Sequence, residues 1–249
     1  MIELTAFMLL WCSIALVLTG VVKGVLGIGL PLVAVPLLAL VMPVPQAVAL
    51  MPIPILVANS WQALYGGQFL ATLRRFRLLI ITMIIGTFIG VKILTLTDPR
   101  VLYAIIGSIV IVFSLTGFIR ADFQVRVQVE RWLGLIVGLA SGVLGGVSTI
   151  AGPPLVMFLA ALRLPKDEFV GTIAGLYLCS VIPLTFALGT FGVMGGKELL
   201  WSALATVPLM LGVPLGQLLR RRLNQETFRK GLLAMLVLTG LSLIGRVVS

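Results

Sequence analysis

Apolar residues in this chain run on for about twenty positions at a time, with no regular polar face between them. Six such runs stand out, at 46–65, 77–96, 100–119, 169–190, 199–219 and 229–248. A helix needs about 20 residues to cross the hydrocarbon of a bilayer, so each run predicts one transmembrane helix. Two further apolar stretches, 4–42 and 132–162, are too long for a single crossing. They are interrupted by GVVKGVLGIGLPLVAVP (Gly20 to Pro36) and GLASGVLGGVSTIAGPP (Gly138 to Pro154). Each interruption predicts a helix that enters the membrane, breaks at its glycines and returns.

The two interruptions resemble each other. At an offset of 118, Gly20, Gly24, Val25, Leu26, Gly27, Pro36 and Leu37 meet Gly138, Gly142, Val143, Leu144, Gly145, Pro154 and Leu155. At an offset of 120, Pro45 meets Pro165. This predicts an internal duplication, with a first membrane repeat over 1–122 and a second over 123–249.

Charge sets the topology. Of 18 basic residues, 13 lie in four short segments: Arg74, Arg75 and Arg77; Arg120, Arg126 and Arg131; Arg163 and Lys166; Arg220, Arg221, Arg222, Arg229 and Lys230. Basic loops stay on the cytoplasmic side, so all four are expected there and both termini outside. Residues 132–162 then start and finish in the cytoplasm, and 4–42 starts and finishes outside. The expected fold is an all-α integral membrane protein of two inverted-topology repeats, each a broken, re-entrant helical hairpin followed by three transmembrane helices, as in many secondary transporters.

Composition narrows the function classes. The chain is 60% hydrophobic and only 10% charged, where a soluble domain carries about 25% charged residues. The net charge of +10 belongs to loops beside a membrane rather than to a nucleic-acid-binding face. Cys12 and Cys179 lie far apart inside apolar runs, so neither a disulfide nor a metal site is expected, and there is no histidine. The first residues carry Glu3 and no Lys or Arg, which does not fit a signal peptide. All eight acids fall in termini or loops. An intramembrane carboxylate relay is therefore not expected, and nothing resembles a phosphate-binding loop or a catalytic dyad. The reading is of a multi-pass protein of a bacterial-type plasma membrane that is not an enzyme and uses no cofactor.

The chemistry is expected at the two breaks. Backbone that leaves the helix inside a membrane must be buried in protein or line a cavity. Gly24, Gly27 and Gly29 in one half, with Gly142, Gly145 and Gly146 in the other, are expected to free amides near the midplane. The helix resuming after each break adds a positive dipole end, and together these suit an anion. Packing between close helices is the other reading of the same glycines. Lys23 places a cation in the first break, where a charge is costly and usually functional; snorkelling to a headgroup is its alternative. Ser141 aligns with Lys23, so any charge is asymmetric. Ser148 and Thr149 offer hydroxyls to the second break, or bond their own backbone. Asn59 and Gln62 are one turn apart in the first span, and Tyr177 occupies a comparable region of 169–190.

GVLGIGLPLVAVPLL and GVLGGVSTIAGPPLV, in a chain of about 250 residues with two related halves, resemble the TauE/SafE sulfite-exporter family. The family's denser glycine run is here interrupted by Ile28, Val147 and Ser148. The resemblance covers nearly the whole chain and implies an all-helical inverted-repeat fold. It also implies export of sulfite or a small organosulfonate such as sulfoacetate. The expected partners are that small anion and membrane lipid, with no nucleic acid; nothing in the sequence indicates a homo-oligomer. Two alternatives stay open: a channel-like anion facilitator, and a non-transporting membrane scaffold or accessory subunit.

Overall fold

The computed structural model describes residues 6–27, 30–65, 69–118, 127–220 and 224–247, and excludes the side chains of 61–62, 64–65, 116–118, 127–128, 166–167 and 225–226. The described residues form helices joined by short turns, with no strand among them. The helices are α1 (Ala6–Leu26), α2 (Leu30–Ala39), α3 (Val44–Ala49), α4 (Pro52–Tyr65), α5 (Phe69–Arg75), α6 (Arg77–Leu96), α7 (Pro99–Phe118), α8 (Val127–Ser148), α9 (Gly152–Ala161), α10 (Lys166–Thr190), α11 (Gly196–Arg220) and α12 (Gln225–Gly245). Among the described residues six stretches, in α1, α6, α8, α10, α11 and α12, are long and apolar enough to cross a membrane. The predicted first span is divided at Leu50–Met51, because Pro52 and Pro54 carry no amide proton to continue the ladder of α3.

The chain forms two compact units, Met1–Met51 with Thr97–Arg120 and Leu200–Ser249, and Pro52–Leu96 with Ala121–Leu199. Each draws elements from both sequence halves. In lipid no hydrophobic force drives helices together, so small residues that let backbones approach closely decide which helices pair.

In the first unit that pair is α1 and α11. A Cβ on Gly20 would stand 3.0 Å from Gly212 Cα, and one on Gly24 would stand 2.8 Å from Gly216 Cα. The register rises in step, so the two helices run parallel. In the second unit α8 pairs with α6 in the same way: a Cβ on Gly86 would stand 3.1 Å from Gly142 Cα, and one on Gly146 would stand 2.8 Å from Gly90 Cα.

Glycines in like positions on the two seams stand at other offsets than the sequence comparison gave. Gly20 corresponds to Gly142 and Gly24 to Gly146, 122 residues apart, and Gly86 and Gly90 correspond to Gly212 and Gly216, 126 apart. The offset of 122 continues beyond the glycines. Gly27, with φ 80°, meets Thr149, with φ 59°. The amide of Gly27 donates to Lys23 O at 2.7 Å, and that of Thr149 to Gly145 O at 2.6 Å. Pro43 and Pro165 both precede the helix after the hairpin with near-identical backbone. The sequence offset of 118 is one helical turn short. Gly138, Gly142 and Gly146 repeat every four residues, so the ladder matches itself when slid by a turn, and only packing chooses the register. By place relative to the left-handed turn, Lys23 corresponds to Gly145, whereas the sequence offset of 118 pairs it with Ser141.

Both long interrupted segments are hairpins. In the first, Trp11 Nε1, early in α1, donates to Leu37 O, late in α2, at 2.9 Å. Arg246, directly after α12, donates to Ala39 O and Leu40 O at and just past the end of α2, a favourable place for a cation on the helix dipole. In the second, one side chain holds entrance and exit together. Arg75 donates Nε and Nη2 to the Glu130 carboxylate at 2.8 and 3.1 Å, and Nη1 to Glu168 at 3.2 Å. Glu130 opens α8 and Glu168 opens α10, so residues 132–162 begin and end at one level. The Glu130 hydrogen bond holds the Arg75 guanidinium above its ordinary range.

Closing those glycine seams should be costly. Gly142→Ala would push a methyl to 2.8 Å from Thr87 N and against Met83 O. A loss of about 1–3 kcal/mol is expected from overpacking alone, read as a lower melting temperature in detergent. Gly231→Ala in α12, where a Cβ meets nothing within 4 Å, should not lower it. Equal melting of the two variants would show that the seam does not set stability.

Candidate functional site

The first break follows a helix of 21 residues. Lys23 lies in its last turn and is 6% exposed. Gly24, beside it, is helical and packs on α11 at Val213 and Gly216. Gly216 is four residues from Arg220, about 6 Å along the helix. That register places Lys23 toward the Arg220 end of α11, where the sequence suggested the midplane. Gly27 takes the left-handed backbone that ends α1, and a Cβ there would meet nothing within 4 Å. Conformation, rather than crowding, explains glycine at this position. Gly29 lies outside the described residues.

The second break comes later than the glycines suggested. The chain stays helical through Ser141, Gly142, Gly145, Gly146 and Ser148, and turns at Thr149 to Ala151. Gly142 and Gly146 face α6, so their amides stay in the helix and the glycines serve packing there. Thr149 instead holds φ 59°, a conformation that costs a β-branched residue energy and that surrounding structure must impose. Its Oγ1 donates to Ser148 O at 2.6 Å; Ser148 Oγ donates to Leu144 O at 2.7 Å and accepts from Ile150 N at 3.2 Å. Two hydroxyls thus stitch the turn.

Ser141, Gly145 and Ser148 lie at i, i+4 and i+7, on one stripe of α8. Ser148 touches Ile150 in the turn, and a Cβ on Gly145 would stand 3.1 Å from Ala151 Cβ. Ser141, next along the stripe, is fully buried, and its Oγ has no hydrogen-bond partner among the described residues. α9 then starts at Gly152, followed by Pro153 and Pro154, with no side-chain cap. Tyr177 of α10 reaches this start: a Cβ on Gly152 would stand 2.5 Å from Tyr177 Oη. A side chain at 152 would displace that hydroxyl. Sequence reasoning missed Gly152; the signal was a glycine directly before two prolines.

Asn59 is buried, and its Nδ2 donates to Ile55 O at 2.8 Å within α4. It lies one turn before Ala63, which packs on Ala174 and Leu178 of α10. The side chain of Gln62 is outside the described residues. The second unit therefore gathers Asn59, Ser141, Ser148, Thr149 and Tyr177, whereas Lys23, Gly24 and Gly27 belong to the first.

A family model described as sulfite exporter TauE/SafE matches residues 12–243. The chain belongs to that family. The match takes in both hairpins and all of the helices from α2 to α11, so it concerns the whole membrane domain. TauE/SafE proteins are transporters, and with six apolar helices this member is a multi-pass membrane protein. No curated protein and no solved structure matches the chain.

Strain at the second break can be measured. Thr149→Gly removes the left-handed penalty and should melt no lower than the parent. Thr149→Val keeps the β-branch and the strain but loses the hydroxyl, and should cost about 1 kcal/mol. A Thr149→Gly protein much less stable than Thr149→Val would mean that the hydroxyl stitch, and not the backbone, dominates.

Proposed function

We propose that this protein is a secondary transporter, and not an enzyme, that exports a small sulfur-containing anion such as sulfite or an organosulfonate of the sulfoacetate kind. The family match over residues 12–243 carries this reading. The buried Lys23 supports it. A charge buried inside a membrane protein is costly, and membrane proteins keep one where it binds or moves something. Beside the second break, Ser141 keeps a buried hydroxyl with no hydrogen-bond partner among the described residues, a donor of the type an oxyanion uses. All eight acids lie at termini or in loops of the predicted topology, so proton coupling, if used, goes through Lys23, water or a protonated substrate.

The repeats are proposed to be inverted in the membrane. α6 begins beside Arg74, Arg75 and Arg77, and α11 ends at Arg220, which Arg221 and Arg222 follow in sequence. With basic segments cytoplasmic, α6 and its parallel partner α8 run outward, and α11 and its parallel partner α1 run inward. Both termini are then outside. The hairpin held by Arg75 opens to the cytoplasm. Its register with α6 sets its turn toward the outer end of α6.

A cysteine replacing Pro165 on a cysteine-free background should react with an impermeant maleimide only from the cytoplasmic side; labelling from outside would end the inverted arrangement. In purified protein, Lys23→Ala should weaken sulfite or sulfoacetate binding by tenfold or more while insertion is retained. Unchanged affinity would remove Lys23 from the site.

A further inference from the structure

We propose that Ser141, Tyr177 and the first turn of α9 form an uncharged, hydroxyl-lined oxyanion subsite within the second unit. The inference rests on the anion-transport reading above and names the groups that would grip the oxygens. Three observations converge on it. First, Ser141 Oγ is the buried side-chain polar atom that finds no partner among the described residues. A buried hydroxyl left unsatisfied costs about 1–3 kcal/mol, so a native protein keeps one where a ligand or water completes it. Second, Tyr177 Oη lies over Gly152, the first residue of α9. Third, the left-handed Thr149 is what turns the chain so that α9 starts here; strained backbone of this kind clusters at functional sites.

The stripe geometry aims Ser141 at the same place. Ser148 and Gly145 on that stripe touch Ile150 and Ala151 in turn, and α9 then runs back along α8. Helical periodicity sets the next stripe residue, Ser141, on the side of α8 that α9 follows. That turn is short of donors, because of its first three residues only Gly152 carries an amide proton. Two hydroxyls supply what the prolines withhold. α9 has 10 residues, and its dipole favours negative charge at this end.

Depth and charge fix the ligand class. Gly142, next to Ser141, packs against Met83 and Thr87, the middle of α6. Where the first unit has Lys23, the second has Gly145, so the subsite brings hydroxyls and one amide with no ammonium of its own. Such a set suits a monoanion with several exposed oxygens, a sulfonate or hydrogen sulfite, better than a dianion, whose desolvation costs more. A hydroxyl also accepts, so the proton of hydrogen sulfite has a place to bind.

The test uses purified full-length protein with sulfite and sulfoacetate as probes, comparing Ser141→Ala and Tyr177→Phe with the parent by titration and by melting. Each variant should raise Kd tenfold or more. Ser141→Ala should also raise the melting temperature without ligand, because it deletes an unpaired buried hydroxyl. Weaker binding together with a more stable empty protein is a combination that a packing role does not produce. If the parent binds a probe and both variants bind it equally well, the subsite is wrong while the anion reading stands. If the parent binds neither probe, the anion reading fails and the subsite with it. Should Tyr177→Phe fail to fold, Ser141→Ala alone decides between these outcomes.

Discussion

Backbone lies almost on backbone along the glycine seams of α1 with α11 and α6 with α8. Lipid tails are as apolar as leucine side chains, so helices gain little by leaving them for each other. What holds these pairs is dispersion, which falls off steeply with separation, and contact of this closeness requires positions without a Cβ. A parallel pair with glycines on both helices at a spacing of four packs in a register that sets glycine against glycine. That register determines at what level each hairpin turns. It also explains why glycine density, which looks like a break in the chain, here keeps helices straight and adjacent.

The turns themselves solve one backbone problem in two ways. Both hairpins need a residue in the left-handed region at the same repeat position. Gly27 takes it without strain, whereas Thr149 takes it with its hydroxyl bonded to Ser148 and Ser148 bonded into the turn. The glycine turn sits four residues after a lysine, and the threonine turn four residues after a glycine. The charged group thus accompanies the relaxed turn, and the hydroxyl-rich turn carries the strain. The two halves of the chain share a frame but not a chemistry.

Polar bonds act mainly at the hairpin mouths. Arg75 closes the second on Glu130 and Glu168, and Arg246, stacked 5.8 Å from the Tyr103 ring centroid, caps the returning arm of the first. Exposed ion pairs contribute little to stability. The forked guanidinium does more by geometry, since one planar group with several fixed donors holds two chain segments at a set distance. The sequence marked Arg75 only as one positive charge among thirteen in basic segments.

Hydropathy alone fixed the helical class and most helix limits, because a lipid-spanning backbone must satisfy its own hydrogen bonds and a helix does so locally. Proline punctuation and loop charge are equally local, so both hairpins and the basic segments of the predicted topology were legible as well. The seams were not. A ladder of glycines every four residues reads the same after a slip of one turn, and only the opposing backbone of α6 or α11 distinguishes the registers. That single turn decided which residue answers Lys23, that the second break falls at Thr149 and not in the glycines before it, and that Gly142 and Gly146 pack instead of freeing their amides. Tyr177 over Gly152, and Arg75 between Glu130 and Glu168, join residues far apart in the chain. No local pattern specifies such distances; the packing of whole helices does.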